Sequence, residues 1–356
     1  MVRTGRLIHF APQPLYPDTQ GYTALAAKLS YSHPFFTRVE PITVWLNKTP
    51  QVLGQAAGLS RDISIRMGTF LLSLVSVVLL FFLARIWMGD MAAALAALYM
   101  ALSPSMAAYD VSGLRETPYV FGLVGFSFFA FTPLGRAWLR PLGMGVFGAF
   151  TCLTRLNALL MVVLVSGISL VRGTSWRPWK PWLVTLLIVG VFTGPFVGFV
   201  WMKTGDPFHT LNRHTHWYIS LDPAFEKVTT FSEYFFRELG PAKLVERTME
   251  GMFRVMFGDI ALDFFFNRQI LPLRLHYVVP YVAYFLYLTG MCAAVWKKRW
   301  EPFLMIILIA GPMWPLIPLG TDNRLLLGAM PFFAVFIGLG VEICMTRLMR
   351  SSAEPA

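Results

Sequence analysis

Eight ionisable residues in this 356-residue chain sit beside long apolar blocks: Asp18, Glu40, Asp110, Arg115, Glu116, Arg155, Asp322 and Arg324. Charges at the ends of membrane helices are costly unless partnered, which makes such residues candidates for function. Their types suit one chemistry. A carboxylate takes the proton of an attacking hydroxyl. Arginines, with their planar fork of donors, hold the oxygens of a departing phosphate and offset the charge it gains. One acid with two or three arginines at one depth therefore fits group transfer from a lipid-linked phosphate, the tail lying in the bilayer and the phosphate at the helix ends. Taken singly, each residue except Asp18 is better explained as a loop charge paired with a headgroup or a neighbour. The set carries the functional reading.

The elements that must position this set are membrane helices. Hydrophobic residues make up 56% of the chain and charged residues 14%, with a mean hydropathy of +0.58, a balance that excludes an ordinary soluble domain. The net charge of +11 does not mark a nucleic-acid binder, because the basic residues fall between apolar blocks. A span needs roughly 20 mainly apolar residues. Such blocks occupy 69–88, 91–107, 117–134, 181–202, 278–296, 302–319 and 324–345. The block 142–171 is too long for one span and is interrupted by Thr154-Arg155-Leu156-Asn157, so it is expected to form two short helices meeting at Arg155. The fold class is thus all-α, a polytopic bundle of about nine spans with outward-facing loops that carry short interfacial helices.

Lysine and arginine counts orient the bundle. One set of connections holds Arg85, Arg136, Arg140, Arg172, Arg177, Lys180, Lys297, Lys298, Arg299, Arg347 and Arg350; the alternate set holds only Arg115, Arg155 and Arg324. The first set is expected to be cytoplasmic. The chain then divides into a first outer loop with Asp18 (1–68), transmembrane helices including a second outer loop (69–202), a large outer loop with amphipathic helices (203–277), carboxy-terminal transmembrane helices (278–345) and a cytoplasmic tail (346–356). Residues 1–68 would have to cross the membrane with neither a signal peptide nor a preceding helix, so a first transmembrane helix is expected upstream of Val2.

In the large outer loop, "LVERTMEGMFRVMF" places Val245, Met249, Met252, Phe253, Met256 and Phe257 on one helical face and Glu246, Arg247, Glu250 and Arg254 on the other. It suits a helix in the membrane interface or one packed on the outer domain. A metal site would want His209, His214 and His216 converging, but His214 and His216, two apart, share a face on a strand and not on a helix, so hydrogen bonding or interfacial anchoring with Trp217 outweighs metal binding. Asn47-Lys48-Thr49 is a formal glycosylation sequon. The cysteines, Cys152, Cys292 and Cys344, all lie in apolar blocks and make no disulfide framework.

Five stretches resemble the GT-C fold membrane glycosyltransferases that use polyprenyl-phosphate-linked sugars, a superfamily that includes protein O-mannosyltransferases and the aminoarabinose transferases of lipid A. "PDTQGYTALA" resembles the first outer loop of that family, and "HPFFTRVEPITVWLNK" the acid-proline and aromatic stretch after it. "ALSPSMAAYDVSGLRETPYVFGLV" resembles the second outer loop. "GAFTCLTRLNALLMVV" is similar to the helix pair broken by Thr-Arg, and "DNRLLLGAMPFFAV" to the arginine-led helix late in the chain. The match covers 15–171 and about 320–340 in the right order. It implies Asp18 as the catalytic carboxylate, Glu116 as the acid of the second loop, and Arg155 and Arg324 facing the lipid phosphate. Thr19 follows Asp18 where many members have a second acid, so a divalent metal is not supported by a paired-acid motif and the cofactor stays open.

The expected function is an inverting glycosyltransferase moving a sugar from a polyprenyl phosphate to an acceptor hydroxyl on a glycan, lipid or protein. Asp18 is the expected base, with Glu40, Arg115, Glu116, Arg155 and Arg324 binding substrate. A bacterial or archaeal cytoplasmic membrane is the expected location, with the site facing outward. The main alternative is a transporter or lipid-linked sugar flippase, to which Gly194-Pro195 and the run from Gly311-Pro312 to Pro318 would supply helix breaks. A non-catalytic scaffold is the third reading.

Overall fold

The computed structural model describes residues 2–10, 13, 15, 17–28, 40–133, 138–171, 179–220, 228, 230–257, 275–319 and 323–351. Among these, the regular elements are helices, and no strand is present. The expectations placed on 33–39 and on Asp322 lie outside the described residues, as do those on the side chains of His214, Trp217 and Arg324.

Three short helices come first: α1 (Val2–Phe10), α2 (Pro17–Lys28) and α3 (Pro41–Ala56). Both α2 and α3 open on a proline, whose preset φ and missing N–H suit the first helical turn. The long α4 (Arg61–Met88) starts at Ser60, whose Oγ accepts from the Ile63 N–H, and stops at Gly89 with φ of 99°. The chain returns through α5 (Asp90–Leu102), a break at Ser103-Pro104 and the short α6 (Pro104–Asp110). There follow α7 (Glu116–Phe131), α8 (Leu139–Thr154), α9 (Ala158–Val171) and α10 (Trp179–Thr204). A polar segment carries α11 (His209–Ile219), a π-helical turn (Tyr234–Glu238) and α12 (Pro241–Met256). The last part comprises α13 (Leu275–Trp296), α14 (Glu301–Ala310), two 3-10 segments (Gly311–Leu319 and Asn323–Ala329) and α15 (Met330–Ser351).

Four stretches are long and apolar enough to cross a membrane, namely 61–88, 180–204, 301–318 and 326–349, and 90–102, 116–131, 158–168 and 280–296 are shorter apolar helices. With α8, helix runs through each of the nine expected spans, as befits an integral membrane protein, although 91–107 is divided at Ser103-Pro104 and 302–319 changes to a 3-10 helix at Gly311. The block 142–171 is divided where expected: α8 ends at Thr154, Arg155 is extended at φ −149° and ψ 112°, and α9 begins at Ala158.

The core is built around α15. Phe332, Phe333 and Phe336 are fully buried, and Tyr287 of α13 packs on Phe333 at 5.3 Å. Glycine lets the backbones meet. A Cβ on Gly290 would lie 1.7 Å from the Phe336 carbonyl oxygen, one on Gly340 2.0 Å from that of Leu286, and one on Gly338 2.2 Å from that of Ala92. Close helix approach through small residues is the way membrane helices gain packing where lipid supplies no hydrophobic drive. Trp87, on the same core, packs edge-on to Phe131 of α7.

Two sequence expectations are refined. The helix over 241–256 docks through Gly251, which lies against the Trp314 carbonyl, and through buried Val255 and Met256, while Val245, Met249, Phe253 and Phe257 stay exposed. Met256 thus belongs to the packed side rather than to one undivided apolar face. Of the two helix breaks, α10 runs unbroken through Pro195, whereas 311–319 winds as a 3-10 helix. Its prolines, Pro312, Pro315 and Pro318, recur every three residues, matching the three-residue turn of that helix.

Candidate active site

The site is organised by a buried loop, Val111 to Leu114, between α6 and α7. Backbone carbonyls hidden from water need donors. Here three successive ones receive them from three different helices. Arg66 Nη1 of α4 donates to the Val111 carbonyl at 2.8 Å, Thr19 Oγ1 of α2 to that of Ser112 at 2.9 Å, and Asn47 Nδ2 of α3 approaches that of Gly113 at 3.4 Å. Gly113 has φ of 73°, and a Cβ there would sit 2.6 Å from Ile65 and 2.7 Å from Thr19, so the turn requires glycine for both conformation and space. Asn47 is buried and also bonds to the Thr43 carbonyl, so its amide faces the protein interior and not a glycosylation enzyme.

This loop delivers Arg115 and Glu116 into α7. Successive helical residues point about 100° apart, so the two find different partners. Arg115 Nη1 meets Glu40 Oε2 at 3.4 Å, both side chains buried. Glu40 stands at the amino-terminal cap of α3 but makes no side-chain capping bond there. Glu116 Oε1 accepts from Arg155 Nη2 at 2.7 Å, a charge-assisted length, with both groups sealed from solvent. Tyr119, one turn along α7 from Glu116, lies under the Arg155 guanidinium at 5.3 Å from ring centre. Asp110 is fully buried and accepts from Thr117 Oγ1 at 3.3 Å.

Asp18 occupies the first turn of α2, where a negative charge is favoured by the helix dipole, and is exposed. Its neighbour Thr19 is buried against Ser112. Tyr22, one turn further and half-buried, links it to the rest. Burial pushes the Tyr22 phenol up; Arg115 pulls it down, and Glu116, Glu40 and Asp18 push it up. One hydroxyl thus feels four of the site's groups. The structure brings Glu40, Arg115, Glu116 and Arg155 into two ion pairs, with Asp18 at the edge of the same electrostatic site. Arg324 lies in the 3-10 segment 323–329 that leads into α15.

Sequence reasoning missed Arg66, Thr19, Asn47, Tyr119 and Tyr22. The one signal for Arg66 was an arginine inside the helix that becomes α4, near the start of its apolar run. Among the described residues, no cluster of three His, Cys, Asp or Glu could hold a metal ion. His216 Nδ1 instead pairs with the Val228 carbonyl at 2.7 Å.

Residues 49–199 match the family model described as dolichyl-phosphate-mannose-protein mannosyltransferase. No curated protein matches the sequence. Among solved structures, ArnT from Cupriavidus metallidurans bound to undecaprenyl phosphate aligns with a TM-score of 0.56 at 14% identity, over 92% of this chain and 56% of that one. The same protein in the apo state gives 0.55 at 13%, over 92% and 55%. The oligosaccharyltransferase AglB from Archaeoglobus fulgidus, in complex with an inhibitory peptide and a dolichol-phosphate, gives 0.55 at 15%, over 95% and 48%. The chain therefore spans about half the length of the structures it matches, and at these identities the likeness is one of fold. Nearly the whole chain takes part in it, which makes this a GT-C fold membrane protein with the architecture of the membrane glycosyltransferases.

Proposed function

We propose that the chain is an inverting glycosyltransferase that moves a sugar from a polyprenyl-phosphate donor to an acceptor hydroxyl. The observation that carries this reading is the gathering of Asp18 and the Arg115–Glu40 pair with Glu116 about Tyr22, Arg155 joining through its ion pair with Glu116, on a GT-C fold. The lipid phosphates in the ArnT and AglB structures support the choice of donor class. The lopsided Lys and Arg distribution supports a site on the outer face, with the turn containing Lys297, Lys298 and Arg299 in the cytoplasm.

In this reading the acceptor hydroxyl attacks the anomeric carbon from the face opposite the phosphate, and its proton passes to the Asp18 carboxylate. The bond between the anomeric carbon and the phosphate oxygen breaks, so configuration inverts. The donor phosphodiester becomes a phosphomonoester and gains one negative charge. Arg155 and Arg324 offset that charge, and Glu116 fixes the plane of the Arg155 guanidinium through the 2.7 Å bond. Arg115, Glu40 and Glu116 orient sugar and acceptor hydroxyls. The donor arrives laterally through the bilayer.

The test offers labelled polyprenyl-phosphate sugars to membranes containing wild type or Asp18→Asn at matched expression. Transfer should fall by roughly 10²–10⁴-fold in the variant with donor binding retained. Equal transfer by both proteins removes Asp18 as the base. The 3-10 segment 311–319 favours one second reading, a lipid-linked sugar flippase. It gains if neither protein transfers sugar while wild type moves labelled lipid across the bilayer.

A further inference from the structure

Arg66 is among the largest fully buried side chains in the molecule, at 1% exposure, and lies in the second turn of α4. A guanidinium out of water is costly, and its cost is met by strong hydrogen bonds in good geometry. Its two terminal nitrogens reach backbone carbonyls in segments far apart in sequence. Nη1 donates to Val111 at 2.8 Å and Nη2 to Gln13 at 2.9 Å. Val111 begins the buried loop that delivers Arg115 and Glu116, and Gln13 stands five residues before Asp18. The two ends of one rigid fork thus tie together the chain carrying the acid and the chain carrying the ion-paired groups. Thr19 crosses the same seam by donating to Ser112.

We propose that Arg66 is a positioning residue that sets the separation of Asp18 from the Arg115 and Glu116 loop, a role that rests on the glycosyltransferase reading. The fork matters more than the charge. Lysine has a single ammonium on a flexible stem and cannot span two carbonyls held apart by a planar guanidinium. Arg66→Lys therefore loosens one segment while keeping the positive charge, and Arg66→Met loosens both. Position 66 is closed to solvent at 1% exposure, so the substitutions are expected to leave donor binding alone.

Two measurements on the full chain in nanodiscs test this. Hydrogen exchange follows the amides of 13–20 and 110–117, with 279–295 of α13 as internal control. Kinetics then separate kcat from KM for the labelled polyprenyl-phosphate sugar. The expected result is faster exchange by about 10-fold or more in both segments of Arg66→Met, with no change in α13. Arg66→Lys should fold like wild type and lose up to about 100-fold in kcat, with KM for the donor within about 2-fold, since misplacement of about 1 Å has that effect. Exchange that is unchanged, or that rises uniformly through the bundle, overturns the role. So does a rise in KM at constant kcat. If wild type transfers nothing, the glycosyltransferase reading fails, and the exchange pattern still decides whether Arg66 couples the two segments.

Discussion

Removing one partner of the Arg155–Glu116 pair should cost far more than the surface ion pairs of this protein. Both side chains are sealed, at 5% and 2% exposure, so water does not screen the charge left behind. Truncating one member of such a buried pair typically costs about 3–5 kcal/mol. Arg155→Met leaves Glu116 buried beside an apolar chain, and Glu116→Gln keeps the shape while leaving the guanidinium uncompensated. The double variant removes both charges and should recover most of the loss. Geometry also ranks the two pairs. Arg155–Glu116 at 2.7 Å has the length of a charge-assisted bond, whereas Arg115–Glu40 at 3.4 Å is longer than a good hydrogen bond. A double-mutant cycle should therefore give a coupling of about 2–3 kcal/mol for the first pair and about 1 kcal/mol for the second. The assay is equilibrium unfolding by SDS titration in mixed micelles, with four proteins for each cycle. A coupling for Arg155–Glu116 below that of Arg115–Glu40 would refute the ranking. Values under about 0.5 kcal/mol for both would refute the claim that the pairs are closed to solvent.

Three further outcomes are expected. Gly290→Ala forces a Cβ within 1.7 Å of the Phe336 carbonyl oxygen, a backbone atom that side-chain rotation cannot move aside; stability should fall by about 1–3 kcal/mol or more, read by the same titration. Tyr22 keeps its proton more tightly in the fold than in the unfolded chain, so its contribution is complete below an ordinary tyrosine pKa of about 10 and is lost as pH rises above it. Wild type should thus lose more stability than Tyr22→Phe as pH rises above about 10, and parallel pH profiles would sink this. Finally, Glu116→Gln should bind undecaprenyl phosphate about 10-fold more tightly than wild type, because an arginine relieved of its carboxylate attracts the anion more strongly; unchanged affinity would place the phosphate away from Arg155.

The bundle was legible because apolar block length, not packing detail, decides where a helix crosses. Even the break at Arg155 could be read, since three polar or charged residues among the four positions 154–157 have no stable place inside one apolar span. The pairing of the charges was not legible. Glu40 and Arg115 are 75 residues apart and Glu116 and Arg155 39 apart, and no local pattern states which acid meets which arginine. Arg115 and Glu116 are adjacent and opposite in charge, yet they take different partners, because neighbouring helical residues face different directions. The loop donors were hidden for a different reason. Thr19, Asn47 and Arg66 act on backbone carbonyls, which every residue carries, so the sequence gives no mark of which carbonyl needs them.

Thr19 shows what this hidden layer decides. In the sequence it reads only as the position where the resembled family often carries a second acid. In the fold its hydroxyl is fully buried and donates to the Ser112 carbonyl. An ionised carboxylate at that position has no proton to give and would set acceptor against acceptor in a closed space. The threonine is therefore required by the loop that carries Arg115 and Glu116, and a paired-acid metal site at 18 and 19 is incompatible with this seam. Two arginines are matched by two glutamates, and among the described acids of the set Asp18 is the exposed one, as the proposed role of base requires. A threonine at 19 and the pairing of Arg115 with Glu40 and Arg155 with Glu116 are thus parts of one arrangement, in which the loop keeps its hydroxyl donor and four of the buried charges are matched across elements.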